Sequence, residues 1–218
     1  MWYVPFTFCP YSPRLRSSFA YGVIFIFNLL IDFISQVYVL DKNFLFFLIL
    51  RVIIKNNFII IVIQKCAHVH LVPNNAETRN VTGELNLVQC ENNFIEITGT
   101  VYGLTPGLHG MHVHEKGDLR DGCISTGPHF NPENVTHGGQ NSPVRHVGDL
   151  GNILAKENGV ADVNIKDSII SFTGNNNIIG RAIVIHSGED DLGGGSSPLS
   201  ASTGNSGDRW ACGIIKAE

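Results

Sequence analysis

Residues 81–103 read VTGELNLVQCENNFIEITGTVYG, two alternating segments on either side of the polar cluster ENN at 91–93. VTGELNLVQ alternates apolar and polar residues, and FIEITGTVYG is rich in β-branched and aromatic residues with a period near two. Side chains on a strand point to opposite faces in turn, so this pattern describes strands with one face in a core and the other toward water.

The pattern extends both ways. Upstream, AHVHLVP (67–73) alternates and ends in the turn-rich PNNAETRN. Downstream come LTPGLHG, then NILAKENGVADVNI with Asn158-Gly159 as a hairpin turn, then SIISFTGNNNIIGRAIVIH. No helical period is sustained. About eight short strands with polar turns predict an all-β antiparallel sandwich or barrel. Residues 117–147 and 187–209 lack strand character, and loops this long are usually functional or disordered.

The 218-residue chain changes character near residue 65. Residues 1–65 carry six Lys/Arg against Asp32 and Asp41, whereas the remainder holds nine basic and seventeen acidic residues. An acidic domain without a basic stripe argues against a nucleic-acid partner. Residues 1–65 are set apart as a hydrophobic N-terminal extension, and residues 66–218 as the functional domain.

Two readings of the extension stand side by side. Residues 19–40 are long enough to span a bilayer but include Asn28, Asp32, Ser35 and Gln36. FIIIVIQKCA (58–67), behind Lys55, fits a secretory signal loosely. The second reading is a misread gene start, because no Met falls between Met1 and Met111. The first makes the protein secreted or membrane-anchored, with any membrane contact confined to residues 1–65; the second makes it cytoplasmic.

Six of the nine histidines form a spaced constellation with one aspartate. His112 and His114 lie in GMHVHEKGD, where an i, i+2 pair on a strand presents both imidazoles to one face. His129 lies in GPHFNP, His137 in HGGQ, His146 and Asp149 in RHVGDLGN, and His186 in AIVIHSGEDDLG. Imidazoles suit copper and zinc, and a carboxylate can complete a closed zinc tetrahedron. His68, His70 and His109 are read as surface or hydrogen-bonded histidines.

GMHVHEKGD, GPHFNP, RHVGDLGN, GVADVNIKDSII, IIGR, DDLG and RWACGII, in this order, resemble the copper/zinc superoxide dismutase family. The intervals of 17, 8, 9, 3 and 37 residues from His112 to His186 agree with its metal scheme. The resemblance implies an eight-stranded Greek-key barrel, an immunoglobulin-like sandwich architecture, with two long functional loops. It places copper on His112, His114, His129 and His186, and zinc on His129, His137, His146 and Asp149, with His129 bridging. Asp190 matches the aspartate linking a copper histidine to a zinc histidine.

The activity so implied converts superoxide to dioxygen and hydrogen peroxide, with redox-active copper and structural zinc. His129 would carry a proton, Arg209 would hold the anion, and Thr203 would face Arg209 across the channel. Cys123 and Cys212 would form a disulfide. The chain departs from the family in residues 192–203, where Pro198, Leu199 and Ser202 stand in place of charged residues. Ile178, Ile179 and Gly180 match homodimer positions, although Lys216 and Ala217 depart from the pattern.

Two further expectations come from the residues themselves. A hairpin centred near residue 78 would set Cys66 opposite Cys90, allowing a second disulfide or two thiols. Asn80-Val-Thr82 is a credible glycosylation acceptor, whereas Asn134-Val-Thr136 lies inside the metal loop. Two rival functions are weighed against the enzyme. A copper-delivery protein is disfavoured by the full ligand set and the absence of CxxC. A binding module with a vestigial site is disfavoured by Arg209 and the complete ligands.

Overall fold

The alternating segments form strands, and the strands close on themselves. The computed structural model describes residues 49–55, 58–90 and 94–218. Eleven strands follow in chain order: β1 (Ile49–Lys55), β2 (Phe58–Pro73), β3 (Thr82–Gln89), β4 (Ile95–Tyr102), β5 (Gly107–His114), β6 (Arg120–Cys123), β7 (Asp149–Ala155), β8 (Ala161–Asp167), β9 (Ala182–His186), β10 (Arg209–Ile214) and β11 (Lys216–Ala217). Around the barrel the order is β2-β3-β4-β8-β7-β5-β9-β10, and β10 pairs back onto β2. All these pairings are antiparallel. β4 and β5 are consecutive in the chain but not neighbours, which gives the Greek-key crossing.

The inward positions supply one core. Val69, Leu71, Leu85, Leu87, Ile97, Met111, Val113, Ile153, Ile183 and Ile185 are buried together. β8 shows strict alternation, with Ala161, Val163 and Ile165 buried and Asp162, Asn164 and Lys166 exposed. β5 differs, because His109 to His114 are all buried. Its inner face meets the core and its outer face lies beneath the two long loops, so this strand loses the alternation that marks the others.

Several elements differ in detail from the expected strands. β2 runs without a break through residues 65 and 66, and its first half pairs with β1 from Ile49↔Gln64 to Lys55↔Phe58. The part of the extension before residue 49 lies outside the described residues, as does Cys9. Within SIISFTGNNNIIGRAIVIH only Ala182–His186 is a strand; the rest is turns, with Ser171 and Asn177 in an isolated bridge. The loop after His114 contains the short β6 and a 3-10 turn at Ile124–Thr126, and the second loop a helical turn at Ser200–Thr203. In the β7–β8 turn Gly159 alone takes a left-handed φ, 75°.

The register also decides between the two readings of the second cysteine pair. β2 and β3 are registered so that Cys66 opposes Val88 and Leu71 opposes Gly83. Cys90 therefore lies two residues beyond the position facing Cys66. A diagonal step of that kind separates Cβ atoms by roughly 7 Å, whereas a disulfide needs about 3.5–4.5 Å. Cys66 and Cys90 are not joined to each other by a disulfide. Cys123 and Cys212 are bonded, at a Cα separation of 5.6 Å. Among the described residues no helix is long and apolar enough to cross a membrane.

Candidate metal centre

β5 brings His112 and His114 to the outer face of the barrel, as their i, i+2 spacing requires. β9, paired beside it, ends on His186, and an isolated bridge sets His129 against His114. These four buried imidazoles present ring nitrogens within 4.8 Å of one another. The His114 and His186 Nε2 atoms are 3.4 Å apart, and the His112 and His129 ring centroids 4.0 Å apart. A second convergence lies on the far side of His129. Asp149 Oδ1 is 2.9 Å from His129 Nδ1 and 3.1 Å from His146 Nδ1, and Asp149 Oδ2 is 3.0 Å from His137 Nδ1. His146 Nδ1 and His129 Nδ1 are 3.4 Å apart. Four atoms held about 2.0–2.1 Å from one tetrahedral ion stand about 3.3 Å from each other, and these separations are of that size.

The structure also carries a direct test of fit. His112 Nδ1 and His129 Nε2 are buried without a hydrogen-bond partner among the described residues, and His137 Nδ1 is close to Asp149 without hydrogen-bond alignment. An orphaned buried nitrogen is costly unless something ligates it. The donor set, imidazoles with one carboxylate, is the chemistry copper and zinc accept.

Electrostatics suits these residues to ligation. Burial is the main reason that His112 and His114 are held well below the usual histidine range, and the neighbouring His129 and His186 add to it. Burial likewise pushes His186 down to about 3 and lowers His129. Neutral imidazole, the ligating form, is thus favoured at all four. His137 behaves oppositely. Burial alone would lower it, but Asp149 and Asp190 on either side outweigh burial and raise it to about 9. Burial opposes ionisation of Asp149, yet His129, His137 and His146 hold it well below the carboxylate range. The positive charge their partnership stores is the charge a zinc ion would replace.

Asp190 joins the two clusters. Its Oδ2 accepts from His112 Nε2 and its Oδ1 from His137 Nε2, both at 2.8 Å. Each bond fixes the outer nitrogen of a ring and leaves Nδ1 turned inward. Three residues not singled out in the sequence hold this arrangement. Asn152 grips the Asp190 backbone from both sides, donating Nδ2 to its carbonyl and accepting from its amide, each at 2.8 Å. Arg145 is buried, donates to the Asp149 carbonyl at 2.6 Å and pairs with Asp167 at the end of β8, pinning the loop to the barrel. Gly204, at φ 63°, packs where a methyl group would overlap Asp190 Oδ1 and His137 Nε2. Arg145 and Asn152 are the first and last residues of RHVGDLGN, so the motif displays them but not their roles, because the partners of these three residues lie 4 to 67 positions away.

Arg209 is half-buried at the start of β10. Its Nη1 donates to the carbonyls of Cys123 (2.8 Å) and Ile124 (3.3 Å) and lies 3.2 Å from Thr126 Oγ1. The disulfide partner of Cys212 is therefore also the acceptor for Arg209. The Thr203 hydroxyl donates to the Leu199 carbonyl within its helical turn, at 3.2 Å. His109 is a hydrogen-bonded core residue, with Nδ1 at 2.9 Å from the His186 carbonyl and Nε2 at 2.8 Å from the Thr105 carbonyl.

Residues 81–215 match the family model described as copper/zinc superoxide dismutase. The chain belongs to that family. It is 54% identical over 140 residues to copper–zinc superoxide dismutase 3 of Arabidopsis thaliana, which covers 64% of this chain and 85% of the relative. It is 54% identical over 133 residues to an extracellular copper–zinc superoxide dismutase of Haemonchus contortus, covering 61% and 72%. Among solved structures, the clock protein EA4 superposes with a TM-score of 0.65 at 45% identity, over 69% of this chain and 93% of that one. The protein is a superoxide dismutase, an oxidoreductase that uses copper and zinc to convert superoxide to dioxygen and hydrogen peroxide.

Proposed function

We propose that His112, His114, His129 and His186 hold the copper ion, and that His129, His137, His146 and Asp149 hold the zinc ion. One observation carries this division: His129 faces two clusters, with Nδ1 toward Asp149 and His146 and the partnerless Nε2 on the other side. Copper supplies one-electron redox chemistry that zinc, with its filled d-shell, does not. The chain's own groups do the rest. His129 holds a proton at Nε2 whenever that nitrogen is not a ligand, next to the place where the product needs one. Asp190 keeps His112 and His137 in the ligating tautomer. Arg209 offers a charge fixed by Cys123, and its guanidinium orients a small anion without risk of deprotonation. Thr203 lines the opposite side of the approach.

The finer organisation follows the same reading. Residues 66–218 are the catalytic domain and residues 1–65 a targeting or anchoring extension. Loss of 1–65 would remove β1 and half of β2 while leaving the pairs from Cys66↔Val88 to Leu71↔Gly83. The protein is secreted, in keeping with the Cys123–Cys212 bond and the extracellular relative. It forms a homodimer through Ile179 and Gly180, which stay accessible, whereas Ile178 is fully buried in its own core.

The test is metal analysis of purified variants beside superoxide consumption. His137→Ala should lose zinc and keep copper, and His186→Ala the reverse. Equal loss of both metals from each variant would sink the division. Sequencing the amino terminus of the natural protein decides the extension, and sedimentation decides the dimer.

A further inference from the structure

We propose that Asn74 is a positioning residue for Arg209, acting from the turn between β2 and β3. Asn74 is bonded to the chain on both sides of that arginine. Its backbone amide donates to the carbonyl of Trp210, the residue after Arg209, at 2.8 Å. Its side-chain Oδ1 accepts from the amide of Cys123 at 2.8 Å. Cys123 in turn is the residue whose carbonyl receives Arg209 Nη1 at 2.8 Å. One asparagine thus holds both the strand that carries the guanidinium and the loop that catches it.

The disulfide does not make this redundant. It fixes the distance between Cys123 and Cys212, but five single bonds between the two Cα atoms leave the peptide planes free to turn. Anchoring the Cys123 amide fixes the plane entering that residue, and its φ of −72° and ψ of −12° carry the orientation on to the carbonyl facing Arg209. The loop is shaped for the contact. Gly122 sits at φ 56°, and a Cβ there would run into Asn74 Oδ1.

The turn is itself braced. Asn75 accepts from the Arg79 amide at 2.9 Å and the Thr78 hydroxyl at 3.1 Å through its carbonyl, and from the Glu77 amide at 3.0 Å through Oδ1. The Arg79 guanidinium lies 4.0 Å over the Trp210 ring, a cation–π contact that grips the same segment again. A neutral amide suits the place better than a carboxylate, which would accept the same bond but set a negative charge beside an arginine meant for an anion.

This inference rests on Arg209 as the anion-holding group, so the experiment separates the two. Azide, a small anion that ligates copper, is titrated into copper- and zinc-loaded wild type, Asn74→Ala, Arg209→Ala and the double variant. Binding is followed by visible absorption, alongside metal content and thermal midpoint. Asn74→Ala should weaken azide about fivefold, the equivalent of one ordinary hydrogen bond, with copper content unchanged. In the Arg209→Ala background the same change should have no further effect. Asn74→Asp, which keeps the acceptor, should restore the affinity at high salt. An equal weakening by Asn74→Ala in both backgrounds, or no weakening in either, overturns the positioning role. If Arg209→Ala itself leaves azide binding unchanged, the reading of Arg209 fails and the inference with it.

Discussion

Asp190 Oδ2 stands 2.8 Å from His112 Nε2 with both side chains fully buried. The other oxygen reaches His137 at the same distance, so one carboxylate serves two clusters. Asp190→Asn leaves one acceptor and puts a donor where the other was, and one of the two rings loses its partner. Partners behind metal-ligating histidines are typically worth about 10–100-fold in metal affinity. Zinc affinity, measured against a competing chelator, should fall by that order while the barrel stays folded. Unchanged affinity would assign Asp190 to packing alone.

Gly204 makes that bridge possible. Any side chain there overlaps Asp190 and His137, and the left-handed backbone costs a non-glycine residue about 1–2 kcal/mol before any overlap. Gly204→Ala should lower the stability of the metal-free protein by at least that much in urea unfolding and should also release zinc. A variant that unfolds earlier yet keeps zinc would show that Asp190 moves aside.

The residues of the candidate centre were legible because their spacing survives in the sequence: His112 and His114 share a face, and His129 to Asp149 lie within 20 residues of one another. What supports them was not. Arg145 finds Asp167, Asn152 finds Asp190, and Asn74 finds Cys123 only after the barrel closes, and a single residue of common type announces none of these. The β2–β3 pairing failed for a smaller reason. Hairpin arithmetic from loop composition placed the centre one residue late, which moved Cys90 onto Cys66 when the true partner is Val88. The hairpin before residue 65 was hidden for another reason. In residues 49–64 the polar Arg51, Lys55, Asn56, Asn57 and Gln64 stand between unbroken apolar runs, so no period-two contrast separates strand from signal.

Cys212→Ser removes the bond that closes a separation of 89 residues. In the chain-entropy model that costs about 4–5 kcal/mol. It also frees Cys123, the carbonyl acceptor of Arg209. Activity should therefore fall more than metal content, and the denaturant midpoint should drop. Activity lost only in proportion to copper would uncouple the disulfide from Arg209.

The metal-free protein should be most stable near pH 6–7, and the sign follows from each histidine. Burial holds His186 at about 3, against 6.5 for an unfolded histidine, and lowers His112 and His114 as well. Below pH 6.5 the unfolded chain binds protons that the fold refuses, so stability falls as pH drops toward 3, by up to about 1.4 kcal/mol per pH unit per site. His137, raised to about 9 by Asp149 and Asp190 against burial, acts in reverse. Its contribution is full below 6.5 and is lost as pH rises through 9. Urea midpoints from pH 4 to 9 check this, and a flat profile below 6.5 contradicts it.

Substrate approach should depend weakly on salt. The segment from Leu192 to Thr203 carries no charge, and Pro198, Leu199 and Ser202 are exposed on it. Charged clefts raise on-rates by about 10–1,000-fold, an effect for which superoxide dismutase is itself a standard example, and screening removes it. With Arg209 as the anion-holding group proposed above, that residue and the metal ions would supply most of the attraction. The rate constant should fall only a few-fold between low ionic strength and 0.15 M, where the Debye length is about 8 Å. Ser202→Lys adds a cation one residue from Thr203, so it should raise the low-salt rate and steepen the salt dependence. A wild-type rate already as steep as that of the lysine variant would mean that charges elsewhere on the barrel steer the anion.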